Sequence, residues 1–191
     1  MKRILSGVDL DSRRYGSSYR EEVCLADGTR LLMRALGPDD AALLRRHFGH
    51  LSQQSRLRRF LGGKSGLSNA EVSFLTNPDG EMHVALVAVL AHAPHEALGV
   101  ARFVRLAASP EVAEPALAVV DPMQGHGLGK LLIERLIEAA RERGVERFRW
   151  VMLADNQPIR HLVEVLGLPV HSNLGSTITV EAALDRQRRS A

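Results

Sequence analysis

The sequence predicts an α+β (mixed α/β) chain: one layer of mostly antiparallel sheet with helices packed on it. Three observations carry this expectation. Pairs of β-patterned segments flank short turns in the first part of the chain, as antiparallel neighbours do. A strand–helix–strand–helix–strand alternation follows, the order that lays helices on a sheet. No internal repeat and no Pro/Gly/Ser-rich linker divides the 191 residues, a length that suits one domain.

Residues 1–20 are polar and irregular and are expected to form a loose arm or an edge contribution. Segments 22–26 and 30–35 flank Asp27-Gly28, a strong hairpin signal. Pro38 opens an apolar-periodic stretch through Ala42, Leu43, Leu44 and Phe48, a short helix. Ser68 with Glu71 three residues later is a capping box that leads into Val72, Phe74 and Leu75. Strands are then expected at 82–91 and 98–106, with His92-Ala-Pro-His-Glu96 in the turn, and a third at 116–120. Residues 127–143 read as a helix with Leu128, Leu132, Leu136 and Ala139 or Ala140 on one face, closed by Gly144. Residues 147–153 alternate like a strand. Asn156 can cap a helix that carries Pro158 in its first turn and ends near Gly167. Closing strands are expected at 170–173 and 176–180 around Gly175, before a charged tail at 185–191. The domain itself is expected to span 21–184.

Composition narrows the function. Hydrophobic residues are 45% and charged residues 25%, ordinary globular values that exclude disorder and collagen-like repeats. The longest apolar run, 84–91, is far short of the about twenty residues of a membrane helix. The first residues lack an apolar stretch, so no secretory signal is expected and the cytoplasm is the expected location. Cys24 stands alone, which excludes an intrachain disulfide and a cysteine zinc cage. A net charge of +3 with 4% aromatics makes no case for nucleic acid.

The chemistry concentrates in Asp121-Pro-Met-Gln-Gly-His-Gly-Leu-Gly-Lys130, where a strand ends, three glycines alternate and an amphipathic helix begins. Gly125 and Gly127 permit positive φ and close backbone approach, and the helix start leaves N–H groups unpaired. Such a turn is an anion nest at the positive end of a helix dipole, suited to phosphate or pyrophosphate. A Walker A loop is excluded, because Gln124 stands at its first glycine and Leu131 at its Ser/Thr. A Rossmann fingerprint fails as well: the spacing is G-x-G-x-G, and Glu146 falls before the next strand rather than after it. A glycine-rich helix entrance that binds nothing stays open, although unneeded glycines cost about 1 kcal/mol each.

Gln124-Gly-His-Gly127-Leu-Gly129 follows the Q/R-x-x-G-x-G/A pattern, and the chain resembles the GCN5-related N-acetyltransferases (GNAT). Ala113 through Gly129 looks like that family's fourth strand and pyrophosphate loop. Asn156-x-x-Ile159-x-x-Leu162 with Leu166-Gly-Leu168 is similar to its next motif. The resemblance implies helices on both faces of a twisted sheet and a splayed central strand pair. It implies acetyl-CoA as cosubstrate, with Gln124, Gly125, His126, Gly127, Leu128, Gly129 and Lys130 holding the pyrophosphate. Ala118, Val119 and Val120 would pair with pantetheine, and the Leu117 region would donate an N–H to the thioester carbonyl. Asn156 would contact the pantetheine arm, or serve as a plain helix cap, or both.

Glu114, ten residues before Gln124, matches the position where many members carry a catalytic glutamate. A carboxylate on an apolar strand can have its pKa raised toward neutrality, which suits a general base. Its plain alternative is a polar residue at the start of a strand. Glu111 and Asp121 are weaker candidates. The family's tyrosine acid is replaced by Val163, and Tyr15 and Tyr19 lie far upstream. The histidines suggest no metal site: His92 and His95 fall in a turn, and His126 is expected to point its side chain outward while its N–H serves the phosphate. His47 and His50 join Arg45, Arg46, Arg56, Arg58 and Arg59 in a basic patch. That patch is a solvated face, a contact for the CoA 3′-phosphate, or a dock for an acidic partner.

Residues 34–41, 51–60 and 67–68 are similar to bacterial acetyltransferase domains that modify lysines of acyl-CoA synthetases. The reaction so implied is direct acetyl transfer to a primary amine. The acceptor is a protein lysine, with a small-molecule amine or a non-catalytic acyl-CoA-binding module as alternatives. No membrane partner is expected, and the oligomeric state stays open, a homodimer included.

Overall fold

The computed structural model describes residues 14–166 and 177–184. The strand expected at 170–173, the turn at Gly175, residues 1–13 of the arm and the tail lie outside them. β1 (Arg20–Cys24) and β2 (Arg30–Ala35) form the expected hairpin, with β1 starting two residues earlier than its pattern indicates. Asp27 Oδ1 accepts the Thr29 N–H at 2.9 Å, and Gly28 takes φ +86°.

A 3₁₀ turn at Pro38–Asp40 opens α1 (Ala41–His50), and Leu51 ends it. α2 (Gln53–Phe60) is a separate helix that the sequence reading merged into one basic stretch. Ser52 caps it, Oγ accepting the Ser55 N–H at 3.1 Å. α3 (Asn69–Thr76) begins at the Ser68–Glu71 capping box, both arms of which are formed.

β3 (His83–Leu90) and β4 (Ala93–Leu106) are longer partners than expected. The turn shrinks to Ala91-His92, because register shifts near Val89 let Leu90 pair with Ala93. β5 (Ser109–Val119) also begins well before the expected residue 116. The pattern left Pro110 and Pro115 ahead of the strand, yet Pro115 lies where its absent N–H would point away from β4, so the ladder loses nothing there. α4 (Leu128–Arg141), β6 (Arg147–Leu153) and α5 (Gln157–Val165) follow as the pattern indicates, and β7 (Thr177–Ala183) runs three residues past its expected end at 180.

The seven strands lie in sequence order, every neighbour antiparallel except β5 and β6. Helices cover both faces. β3 is buried on both sides: Val84, Leu86 and Ala88 join the α4 core with Leu128, Leu132, Ile133 and Leu136. Ala85, Val87 and Val89 join Leu43 and Leu44 of α1 on the other face. Tyr15 and Tyr19, expected in a loose arm, are buried in the α4 core with their rings 4.7 Å apart. Tyr15 donates to Glu138 and Tyr19 to Glu21, which in turn accepts two bonds from Arg135 at 2.8 Å.

Candidate active site

β5 and β6 pair only at Val112–Arg147 and Ala113–Phe148, then diverge. The divergence opens a cleft of about 790 Å³, a size suited to a ligand pocket. Val120 N–H donates to Leu98 C=O at 2.9 Å, and Gly99 faces Val119 across the ladder. Antiparallel alternation therefore turns the Ala118 and Val120 amides toward β4 and leaves the Leu117 and Val119 amides facing the cleft. Side chains sort oppositely to one another across the sheet. Leu117 and Val119 lie on the α4 side, where a Cβ on Gly129 would meet Leu117 at 3.4 Å and Val119 at 3.9 Å. Glu114, Ala116 and Ala118 lie on the α1–α3 side.

The glycine loop closes one end. Gly125 (φ +79°) and Gly127 (φ +86°) use the left-handed region, and Gly127 caps α4. Their alternation aims successive main-chain N–H groups, with those of the first turn of α4, toward one concave spot. Gln124 braces the loop from its side chain, donating to Val119 C=O at 3.0 Å and Ser55 Oγ at 3.1 Å. Asp121 ties the loop to α2: it accepts from the Ser52 N–H at 2.9 Å, the Ser52 hydroxyl at 2.7 Å and the Ser55 hydroxyl at 3.0 Å. Asp121 is thus a clamp as well as a turn residue.

Glu114, Leu117, Ala118, Val119, Gln124, Gly125, Gly127, Gly129, Lys130 and Asn156 all line the cleft. Val120 and Leu128 are buried beside it, and His126 is exposed on the loop with Nδ1 2.9 Å from Gln124 C=O. Glu114 is exposed in the wall and makes no hydrogen bond or ion pair among the described residues. Asn156 is buried; its Oδ1 accepts the Ile159 N–H at 3.5 Å, so a cap and a cleft residue coincide. Val163 is buried, and neither Tyr15 nor Tyr19 lines the cleft.

The basic patch is not one surface. Arg45 is tied to Leu67 C=O and Asn69, Arg46 to His95 C=O, and Arg56 to Gly49 C=O. His47, expected on an exposed face, is buried with Nδ1 3.0 Å from Ala97 C=O. Burial holds its pKa below the ordinary imidazole value. Only Arg58 and Arg59 of this stretch reach the cleft, where Arg102 of β4 joins them. The sequence reading missed Arg102, although an arginine inside the apolar strand Val100-Ala-Arg-Phe-Val104 was a legible signal. No group of three metal-ligating side chains occurs among the described residues, and no helix among them is long and apolar enough to cross a membrane.

Comparison with known proteins agrees with this geometry. Residues 57–168 match the Acetyltransferase (GNAT) family. An acetyltransferase of Pseudomonas aeruginosa is 32% identical over 145 residues, covering 75% of this chain and 77% of that protein. Acetyltransferase Pat of Mycolicibacterium smegmatis is 40% identical over 80 residues, which are 41% of this chain and 24% of that protein. The crystal structure of the GNAT domain of S. lividans PAT superposes with a TM-score of 0.81 at 26% identity, covering 88% of this chain and 99% of that one. The chain therefore belongs to the GNAT family of acetyltransferases, acyl-CoA-dependent N-acyltransferases whose cosubstrate is acetyl-CoA.

Proposed function

We propose that this chain transfers an acetyl group directly from acetyl-CoA to a primary amine, and that the acceptor is a lysine side chain of a protein. One observation carries the reading: the wedge between β5 and β6 joins the positive-φ loop to Glu114 in a single cleft. The residues present fit acetyl-CoA. The main-chain amides from Gly125 to Lys130 would hold the pyrophosphate at the N-terminus of α4, whereas the Gln124 N–H, expected among them, already donates to Asp121 C=O at 3.1 Å. The open Val119 N–H, with the Asn156 side chain, would meet the amide-rich pantetheine arm. Bound there, the cosubstrate supplies the activated acyl carbon.

The cleft-facing Leu117 N–H would stabilise charge that develops on the thioester oxygen. Glu114 would take the proton that the ammonium form must lose before the nitrogen can attack. Both reactants sit in one cleft, which makes the step effectively intramolecular. Cys24 is exposed and does not line the cleft, in keeping with transfer without a cysteine intermediate. Leu61, Phe74, Val151 and Val165 are exposed apolar side chains on the lining, a wall suited to a large acceptor. The resemblance to domains that modify acyl-CoA synthetases also supports a protein lysine.

Glu114→Gln is expected to leave acetyl-CoA affinity nearly intact and to lower turnover by about 10²–10⁴ near neutral pH. The loss should shrink at high pH, where the amine deprotonates without help. An equal loss at every pH would assign Glu114 to positioning, and no loss would remove it from the mechanism. Labelled acetyl-CoA incubated with an acyl-CoA synthetase and, in parallel, with amino acids and polyamines tests the acceptor. Label on small amines alone would overturn the protein-lysine part and keep the rest.

A further inference from the structure

Three cations of the cleft have no acidic partner among the described residues. Arg58 and Arg59 come from the last turn of α2, and Arg102 from the middle of β4. Arg102 is only 4% exposed. Its Nη1 donates to Leu75 C=O at 2.9 Å and lies 3.2 Å from His83 Nε2, both uncharged partners. Arg59 packs its guanidinium 4.8 Å from the centre of the Phe60 ring. The Arg58 Nε is buried without a hydrogen-bond partner. Burial pushes Arg59 down to about 10, and burial with the nearby charge of Arg59 pushes Arg102 down to about 9, so both stay charged at neutral pH. The other cations of the lining are already paired: Arg149 with Glu181 at 2.8 Å and Lys130 with Glu134 at 3.6 Å. The one carboxylate on the lining is Glu114, and it pairs with none of the three arginines.

Like charges buried side by side without a counterion are costly, and a cavity beside them is where a counterion can enter. The cluster is also held in place. The serine clamp on Asp121 locks the start of α2, and the helix then delivers Arg58 and Arg59 into the cleft. This is a physical task for the Leu51-Ser-Gln-Gln-Ser-Arg-Leu-Arg-Arg-Phe60 element. The cluster serves the acceptor rather than the pyrophosphate, because Arg102 shares the sheet face of Glu114, opposite the face on which α4 packs. Arg102 shares its face with Val100, which packs on α1, whereas Ala101 and Phe103 face the α4 core.

We infer that the cluster of Arg59, Arg102 and Arg58 binds a carboxylate carried by the acceptor, so that the preferred substrates are amines accompanied by a carboxylate. Guanidinium forks suit the planar carboxylate geometry. Arg102 lies opposite Ala116, and Glu114 is two residues along on the same face, a diagonal spacing of about 7–8 Å. The amine at Glu114 and the carboxylate at the arginines are therefore separated by a few bonds. The carboxylate comes either from a small amino acid or from an acidic side chain beside a target lysine. The inference rests on the reading of Glu114 as the proton acceptor in an acetyl transfer.

The test uses matched acceptors with the full chain: 4-aminobutanoate against n-butylamine, and the blocked peptide acetyl-Gly-Glu-Lys-Gly-amide against acetyl-Gly-Gln-Lys-Gly-amide. CoA release is followed for the wild type, Arg59→Gln and Arg59→Lys, and glutarate is titrated calorimetrically. The wild type should favour the carboxylate member of at least one pair in kcat/KM by about tenfold or more. The ratio should fall to within about twofold of unity in Arg59→Gln and partly recover in Arg59→Lys, with acetyl-CoA KM unchanged. Preference confined to the small pair identifies an amino acid, and preference confined to the peptides an acidic lysine context. Glutarate binding that Arg59→Gln abolishes supports the site independently of turnover. Turnover without preference, or a defect in acetyl-CoA KM, overturns this inference alone. Glutarate binding in the wild type without release of CoA from any amine keeps the anion site and overturns the transferase reading. Neither binding nor release overturns both.

Discussion

Gly127 and Gly129 sit two positions apart and are constrained for different reasons. Gly127 holds φ +86°, and a Cβ there would find open space, so any substitution suffers from the backbone alone, by about 1–2 kcal/mol. Gly129 has ordinary helical geometry, and its Cβ would make a 3.4 Å contact with Leu117. Gly127→Val is therefore expected to weaken acetyl-CoA by more than tenfold and to lower stability. Gly129→Ala should keep stability within about 1 kcal/mol, because alanine's helix propensity offsets the contact. Calorimetric binding and urea unfolding on the two variants separate the causes, and unchanged affinity in folded Gly127→Val would take the loop out of the site. These residues were legible because a local motif displays them in a row. The arginine cluster was not, because Arg59 and Arg102 belong to distant segments, and only the β4 register shows that Arg102 and Glu114 share a face.

The contact between α2 and the loop is the element on which the acceptor side of the cleft depends. Asp121 receives three hydrogen bonds from Ser52 and Ser55, which outweigh the opposing effect of burial and hold its pKa below the ordinary carboxylate value. Asp121→Ala is expected to cost about 1–3 kcal/mol by urea denaturation. It should also raise the acceptor KM more than the acetyl-CoA KM, since the glycine loop keeps its own backbone geometry. Equal effects on both would show that the clamp serves the loop rather than α2. At this scale the sequence patterns placed most helices and strands, and the misses have physical causes. Ser52 caps α2 as legibly as Ser68 caps α3, but it lacks the glutamate three residues on that made the second box conspicuous. Pro110 and Pro115 hid the first half of β5, since proline in a strand is allowed only where its amide has no ladder partner to meet.

At the scale of the whole molecule, two cores back one sheet, and acid should lower its stability in two separate pH ranges. His83 is buried, stacks on Phe74 with centroids 4.9 Å apart and faces Arg102 and Asp79. Burial first, and the charge of Arg102 second, lower its pKa from 6.5 to about 4. Between those values the unfolded chain binds the extra proton, so stability falls as pH drops from about 6.5 to 4, by an amount on the order of 2–3 kcal/mol. Glu21, lowered to about 2 mainly by the Arg135 hydrogen bonds, contributes stability that is lost only below its unfolded value of 4.5. Urea midpoints measured from pH 7 to pH 4.5 should decline in the wild type and stay flatter in His83→Gln, which keeps a hydrogen-bond acceptor for Arg102. Parallel declines would place the acid sensitivity elsewhere. The layered class was legible from the alternation of strand and helix periods, whereas the burial of Tyr15 and Tyr19 was not, because a polar segment does not announce which core its two aromatics will enter. The divergence of β5 from β6 has one more consequence, for association between molecules. A sheet interrupted inside its own strand order carries two extra edges, the kind of surface on which chains aggregate. An inserted strand needs flanking strands about twice the usual ~4.8 Å apart. At Val112–Arg147 and Ala113–Phe148 the flanking strands stand at a single spacing, so the gap tapers to nothing. A long β-strand from a neighbour cannot run its length, and the interruption stays open to a short extended chain while refusing a second sheet.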